Sequence, residues 1–224
     1  MPSKNAIKKY VTNGYYHVYN RGVEKRKIFI DDEDYKVFLY YLKSYLLPPD
    51  HPTHKKLPFT FRYISLNFDL YKKINLFAYC LMPNHFHLFL KQLDHKAIIE
   101  FMKRLSNAYT KYFNKKYDRI GPLFQGRYKA VLISNENYFL HLSRYIHLNP
   151  LELKDVSKKN LINYSYSSYG DYCELKKTDW IHQSEILEYF QQKAEKKNKN
   201  NSYKDFVEKY QGNDKELLNN VLLD

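Results

Sequence analysis

The chain has 224 residues with a net charge of +13, 17% aromatic residues including 24 tyrosines, and only six glycines. That length makes one ordinary domain with an appendage, able to bury a core without staples, and no run approaches the ~18 apolar residues of a membrane helix. Cys80 and Cys173 stand far apart and the N-terminus MPSKNAIKKYV has no apolar core, so disulfides and a signal peptide are not expected and a cytoplasmic setting is; the scattered glycines write neither a P-loop nor a dinucleotide fingerprint, which excludes a nucleotide cofactor.

In chain order, GYYHVYNR (14–21) is aromatic and β-branched and predicts a first strand. Asp31 to Asp34 supply a capping cluster, after which Phe38, Tyr41, Leu42 and Tyr45 fall at helical spacing until Pro48-Pro49. A loop follows, and FTFRYISLNFDLYKK (59–73) reads either as an extra strand or as an inserted hairpin. NLFAYCLM (75–82) and HFHLFLKQ (85–92) predict two strands joined by Pro83-Asn84, residues suited to the centre of a tight turn. Ile98, Met102, Leu105, Tyr109 and Tyr112 make the apolar stripe of a helix over 95–115. GPLFQ is a loop, GRYKAVLI (126–133) a fourth strand, and Ser134 can cap a helix over 135–148 that stops at Asn149-Pro150.

Strand, helix, strand, strand, helix, strand is the split βαβ order. The expected class is α+β, a ferredoxin-like (βαββαβ) antiparallel sheet with helices on one face and the added helix 135–148 free to lie against the sheet. ILEYFQQKAEKKNKNN, SYKDFVEKY and KELLNNVLL predict three short helices, tethered by the KKNKNN stretch. The expected division is a domain over 1–174 and a helical C-terminal extension over 175–224.

Basic and aromatic residues together suit a single-strand nucleic-acid binder, with cations tracking phosphates and rings stacking on bases. A genome biased toward A/T-rich codons would give a similar composition, so composition alone leaves the two level. Distribution separates them: residues 101–130 hold eight Lys and Arg against one acid, Asp118, more than half the net charge. Such concentration favours a binding groove.

Two groups of residues can carry chemistry. His85 and His87 flank Phe86 in an apolar strand, and alternation puts both imidazoles on one face, where they can approach a divalent metal at about 2.1 Å. Two ligands do not complete a site. The helix 135–148 offers a third group through a stripe of Tyr138, His141, Tyr145 and Asn149, which makes Tyr145 and Asn149 neighbours one turn apart. An unliganded strand face and a surface tyrosine explain the same residues, and spacing alone does not single out Tyr145.

LMPNHFHLFL followed about 60 residues later by RYIHLNP strongly resembles the single-tyrosine HUH transposases of insertion sequences, and within them the REP-associated tyrosine transposases. YHVYNRG, GPLFQGRYKA and SYSSYGDY support the resemblance, which covers roughly residues 14 to 172. It implies His85 and His87 as metal ligands, Asn149 as a third ligand, Tyr145 as nucleophile, and Mg²⁺ or Mn²⁺ as cofactor. It also implies Arg21 and Arg127 as phosphate contacts, with the basic segment 95–129, including Arg104, Lys111, Lys115 and Lys129, as the bed for a single DNA strand. Relatives act on single-stranded DNA with hairpins, leaving a 5′-phosphotyrosine and a free 3′-hydroxyl. His141 and His147 are nearby candidates to assist the phenol. The chain departs from the family at Leu151-Glu152-Leu153, where many relatives have Val-Arg-Ala, which puts a phosphate contact at Glu152 in doubt; Tyr166 replaces a common tryptophan.

The leading expectation is therefore a metal-dependent single-stranded DNA endonuclease and strand-transferase. A catalytically inactive hairpin-DNA-binding protein and a metal-dependent RNA nuclease are the alternatives. The C-terminal module leans the expectation to a monomer.

Overall fold

The computed structural model describes residues 8–55, 68–134, 136–197 and 202–212. Strand β1 (Tyr15–Arg21) leads to helix α1 (Asp32–Leu46), followed by β2 (Ile74–Met82), β3 (His85–Gln92), α2 (Ala97–Lys116), β4 (Lys129–Ile133) and α3 (Glu136–Leu148). The strands form one sheet in the order β2-β3-β1-β4, every pairing antiparallel. With α1 linking β1 to β2 and α2 linking β3 to β4, the architecture is α+β and ferredoxin-like. β4 begins three residues later than its sequence pattern indicates, because Gly126, at φ +77°, still belongs to the preceding turn. Beyond α3 come the short helix α4 (Tyr169–Tyr172), α5 (Ser184–Lys197) and α6 (Tyr203–Glu208). The helix expected over KELLNNVLL, most of the KKNKNN tether and most of FTFRYISLNFDLYKK lie outside the described residues; of the last, Phe68–Lys72 forms a 3₁₀ turn.

Period-two alternation divides the strand side chains between two cores. Tyr16, Val18, Leu81, Phe86 and Leu88 pack with α1 and α2 on one face of the sheet. Cys80, Met82, Phe89 and Ile133 pack on the other face with Leu142, Tyr145 and Ile146 of α3. A bulge between Leu76 and Ala78 turns Phe77 and Ala78 both toward α3. Ile186 and Phe190 of α5, with Tyr203 and Val207 of α6, join that second core.

One polar anchor ties the two helices of the first layer. Asp31 caps α1 by accepting the Asp34 N–H at 3.1 Å, while the Asp34 carboxylate accepts from the N–H groups of Ile30 at 2.7 Å and Asp31 at 3.3 Å. Wholly buried, Asp34 also accepts from Tyr112 at 3.0 Å, Tyr117 at 2.8 Å and the Lys116 ammonium at 3.0 Å, all at the C-terminal end of α2. An amide in its place would turn a donor toward donors. Asp34→Asn is expected to lower the unfolding free energy by about 1–3 kcal/mol, seen as a lower urea midpoint at unchanged slope; an unchanged midpoint would show that the network contributes nothing net.

Candidate functional site

The central strand β3 carries His85 and His87 toward α3 and sends Phe86 into the α1–α2 core. His87 is wholly buried and His85 half-buried, with the two rings perpendicular and their centroids 4.9 Å apart. His85 Nδ1 lies 2.6 Å from Asn84 Oδ1, and the Asn84 amide nitrogen donates to the Lys25 carbonyl at 3.3 Å. A carboxamide oxygen only accepts, so His85 Nδ1 carries the proton and Nε2 keeps its lone pair. His87 Nδ1 lies 2.8 Å from His17 Nε2, and His87 Nε2 is a buried nitrogen with no hydrogen-bond partner.

Helix α3 lowers Tyr145 onto this pair because Leu142 and Ile146, on the same side of the helix, are wholly buried against the sheet. The Tyr145 ring stands edge-on to His87 at 5.5 Å and to His17 at 6.0 Å. One turn on, Asn149 Nδ2 donates to the Tyr145 carbonyl at 2.8 Å, leaving Oδ1 as the end for the imidazoles and the phenol. Burial is the first cause acting on each titrating group: it holds both imidazoles below their ordinary value and pushes the Tyr145 phenol up. The Glu152 carboxylate pushes the phenol further up and draws His85 upward, while the neighbouring Asn149 side chain raises both imidazoles and lowers the phenol.

The structure thus brings His85, His87, Tyr145 and Asn149 together from β3, α3 and the turn after it. Two imidazole nitrogens and an amide oxygen suit a divalent cation, and the unpartnered Nε2 of His87 is an atom such an ion would satisfy. Among the described residues no group of three or more His, Cys, Asp or Glu side chains could hold a metal, so Asn149 would have to supply the third protein donor. His147 is turned away: Nδ1 meets the Tyr203 hydroxyl at 2.7 Å and Nε2 the Ser168 hydroxyl at 2.8 Å. His141 Nδ1 is engaged by Arg144 at 2.6 Å.

The basic residues separate into three places. Arg21 stands opposite His85 in the β1–β3 register, with its guanidinium on Gln125 Oε1 at 3.2 Å. Lys129 stands opposite Tyr19 in the β1–β4 register. Across the sheet, a cleft of about 730 Å³ is lined by Lys8, Tyr10, Asn20, Lys103, Arg127 and Tyr128, among others. Burial and the positive charges of Lys129 and Arg127 hold the Lys8 ammonium below its ordinary value. From that cleft a stripe at four-residue spacing runs along α2 through Asn107 to Lys111 and Lys115. Arg104 lies off this stripe, bound to Glu100 at 2.6 Å and next to Tyr45. Lys116, counted with the basic segment in the sequence, is held by Asp31, Glu33 and Asp34.

Sequence reasoning assigned no role to His17, Tyr19 or Lys8. Alternation along YHVYNR, combined with the β1–β3 pairing inherent in the split βαβ order, is the pattern from which His17 and Tyr19 could have been placed beside His87.

Residues 53–149 match the family described as IS200-like transposases, a stretch running through β2, β3, α2, β4 and α3 to Asn149. Among solved structures, that of a REP-associated tyrosine transposase bound to a REP hairpin is similar, with a TM-score of 0.52 and 16% identity over 80% of this chain and 92% of that one. A candidate transposase from Deinococcus radiodurans R1 aligns with a TM-score of 0.36 and 16% identity over 65% of this chain and 95% of that one. No curated protein sequence matches significantly. No helix among the described residues is long and apolar enough to cross a membrane.

Gly22, which follows Arg21 in YHVYNRG, holds the end of β1 against the histidine turn. Its N–H donates to the Asn84 carbonyl at 2.8 Å, and a Cβ there would fall 2.2 Å from the Arg26 carbonyl oxygen. Gly22→Ala is expected to destabilise the fold by about 1–3 kcal/mol through overpacking, checked by chemical denaturation; a variant as stable as the parent would show that this backbone gives way freely.

Proposed function

We propose that this protein is a transposase that cuts and rejoins single-stranded, hairpin-bearing DNA through Tyr145, with His85, His87 and Asn149 holding a divalent cation, Mg²⁺ or Mn²⁺. The observation that carries the reading is the meeting of Tyr145 with a buried imidazole whose Nε2 has no partner, on two elements about 60 residues apart in the chain. The similar transposase bound to a REP hairpin supports hairpin DNA as the substrate class.

A divalent cation would supply neutralisation of charge developing on the phosphate oxygens. The protein's own groups do the rest. His85 and His87 hold neutral donor nitrogens on a rigid strand, and the Asn149 amide oxygen faces them from the helix end. The Tyr145 oxygen attacks phosphorus as its proton leaves, and the bond from phosphorus to the 3′ oxygen breaks. The products are a 5′-phosphotyrosine and a 3′-hydroxyl. The covalent link conserves the bond energy, so a second 3′-hydroxyl can reverse the step on another strand without a nucleotide cofactor. Arg21, beside His85, is the nearest cation for the scissile phosphate. Lys111, Lys115, Arg127 and Lys129, joined by Lys8 and Lys103, bind the flanking strand; Arg104 adds charge on the other side of α2. The catalytic unit spans residues 1–174 and the extension 175–224 follows it, α6 bracing α3 through Tyr203, and the chain works as a monomer.

Incubation with single-stranded hairpin DNA and Mn²⁺ is expected to give a covalent adduct on a denaturing gel, absent in Tyr145→Phe and in His87→Ala. An adduct that persists in Tyr145→Phe would overturn the nucleophile. Hairpin binding with no adduct across a broad hairpin library would leave the non-catalytic binding protein as the correct reading, and cleavage without an adduct, preferring RNA, would replace it with a water-using nuclease.

Replacing Lys103, Lys111 and Arg127 together by Gln is expected to weaken hairpin binding and to flatten the log–log salt dependence by about 2, at roughly 0.7 for each phosphate that is no longer neutralised on a single strand. An unchanged slope would remove the α2 stripe and its cleft from the DNA path.

A further inference from the structure

We propose that His17 is a positioning residue that sets the tautomer and orientation of His87, an inference that rests on the metal-binding reading above. Both imidazoles are wholly buried, 2.8 Å apart between His17 Nε2 and His87 Nδ1, with rings 18° from parallel and centroids 5.0 Å apart. One proton lies between these two nitrogens, and it has two possible owners.

If His17 donates, the neutral His87 ring carries its own proton on Nε2. That turns the Nε2 proton toward the Asn149 amide oxygen and removes the lone pair a cation needs. If His87 donates from Nδ1, the lone pair is on Nε2, where it faces the Tyr145 side. The second arrangement is the one that turns an unpartnered buried atom into a ligand. Asn84 imposes the same tautomer on His85, because its oxygen accepts from Nδ1 at 2.6 Å. The two histidines of the pair are thus each oriented from Nδ1, His85 by the turn that precedes it and His87 by a neighbouring strand.

His17 is itself held in place. It sits in the middle of β1, opposite Phe89, with the Tyr19 ring 4.7 Å away on the same strand and the Tyr145 ring edge-on at 6.0 Å. A second imidazole that hydrogen-bonds the far nitrogen of a ligating histidine fixes its angle and raises its basicity, and removing such a partner costs about 10–100-fold in metal affinity.

The test uses the full chain, with Mn²⁺ binding measured by calorimetry and the His87 ring nitrogens read by ¹⁵N NMR in the metal-free protein. The expected spectrum has a protonated Nδ1 and an unprotonated Nε2. His17→Phe, which keeps a ring but offers no acceptor, is expected to weaken Mn²⁺ binding about 10–100-fold, and His17→Gln, whose amide oxygen can accept, to recover most of that affinity. Wild-type protein with the proton on Nε2 would overturn the proposal, a result that does not depend on any variant folding. So would His17→Phe binding Mn²⁺ as tightly as wild type while His87→Ala does not bind it. If His87→Ala keeps wild-type affinity, the metal reading itself fails, which distinguishes the two failures.

Discussion

The antiparallel pairing of β1 with β3 at the centre of the sheet sets the geometry on which the rest of the site depends. It places Arg21 opposite His85, Tyr19 opposite His87 and His17 opposite Phe89. A slip of one residue in β3 would send both histidines into the α1–α2 core and bring Phe86 out toward α3. Apolar burial on both faces resists that slip: Tyr16, Val18, Phe86 and Leu88 are wholly buried on one side and Phe89 on the other. The Pro83-Asn84 turn adds a local constraint by pairing Met82 with His85. His85 is therefore placed both by the strand beside it and by the turn before it.

The place of Tyr145, the proposed nucleophile, depends on α3 keeping its distance from the strand. The inner side of α3 is held by Leu142 and Ile146, and its outer side by a buried polar chain. His147 meets Tyr203 of α6 and Ser168, Tyr203 donates to Ser143 at 3.0 Å, and Ser168 Oγ accepts the Tyr79 N–H of β2 at 2.9 Å. Burial, aided by Lys176, depresses the His147 pKa to about 3, so the ring remains neutral with one donor and one acceptor nitrogen, which the two hydroxyls can both satisfy. Arg144, one residue before Tyr145, has its guanidinium 4.3 Å from the Phe206 ring centroid. The α6 helix thus holds the tyrosine helix through Tyr203 and Phe206, and the same polar chain ties it to β2.

Much of this was legible from local pattern. Strand alternation bounded β3 at His85 and Gln92, helical spacing named the buried stripe of α2, and Asp31 to Asp34 announced the start of α1. What local pattern misses is the meeting of distant residues. Lys116 reads as part of a basic groove until its acidic partners, more than 80 residues earlier, are seen around it. Lys103 and Arg104 are adjacent in sequence yet lie on different sides of α2. Phe77 follows no alternation because a bulge changes the phase. His17 is ordinary in an aromatic strand until the register brings its Nε2 to His87. Among 24 tyrosines, Tyr145 was distinguished by resemblance, and the packing of α3 is what sets its ring beside the imidazoles.

Charge is sorted by position in a way that bears on the proposed chemistry. The protein as a whole is strongly basic, and its Lys8, Lys103, Arg127 cleft lies across the sheet from the histidines. A potential of that sign attracts polyanions from a distance and is weakened by salt. The histidine face is different. Burial favours neutral imidazoles and a neutral phenol there, and the Glu152 carboxylate lends negative potential that raises the phenol and draws His85 upward. Such a place favours a cation over a phosphate at the imidazoles, while the cleft favours a phosphate over a cation. Under the proposed function, this separation keeps the basic groups on strand capture and leaves the donor nitrogens clear of the backbone they would otherwise bind. Glu152, just beyond Asn149 in the turn after α3, strengthens that cation preference.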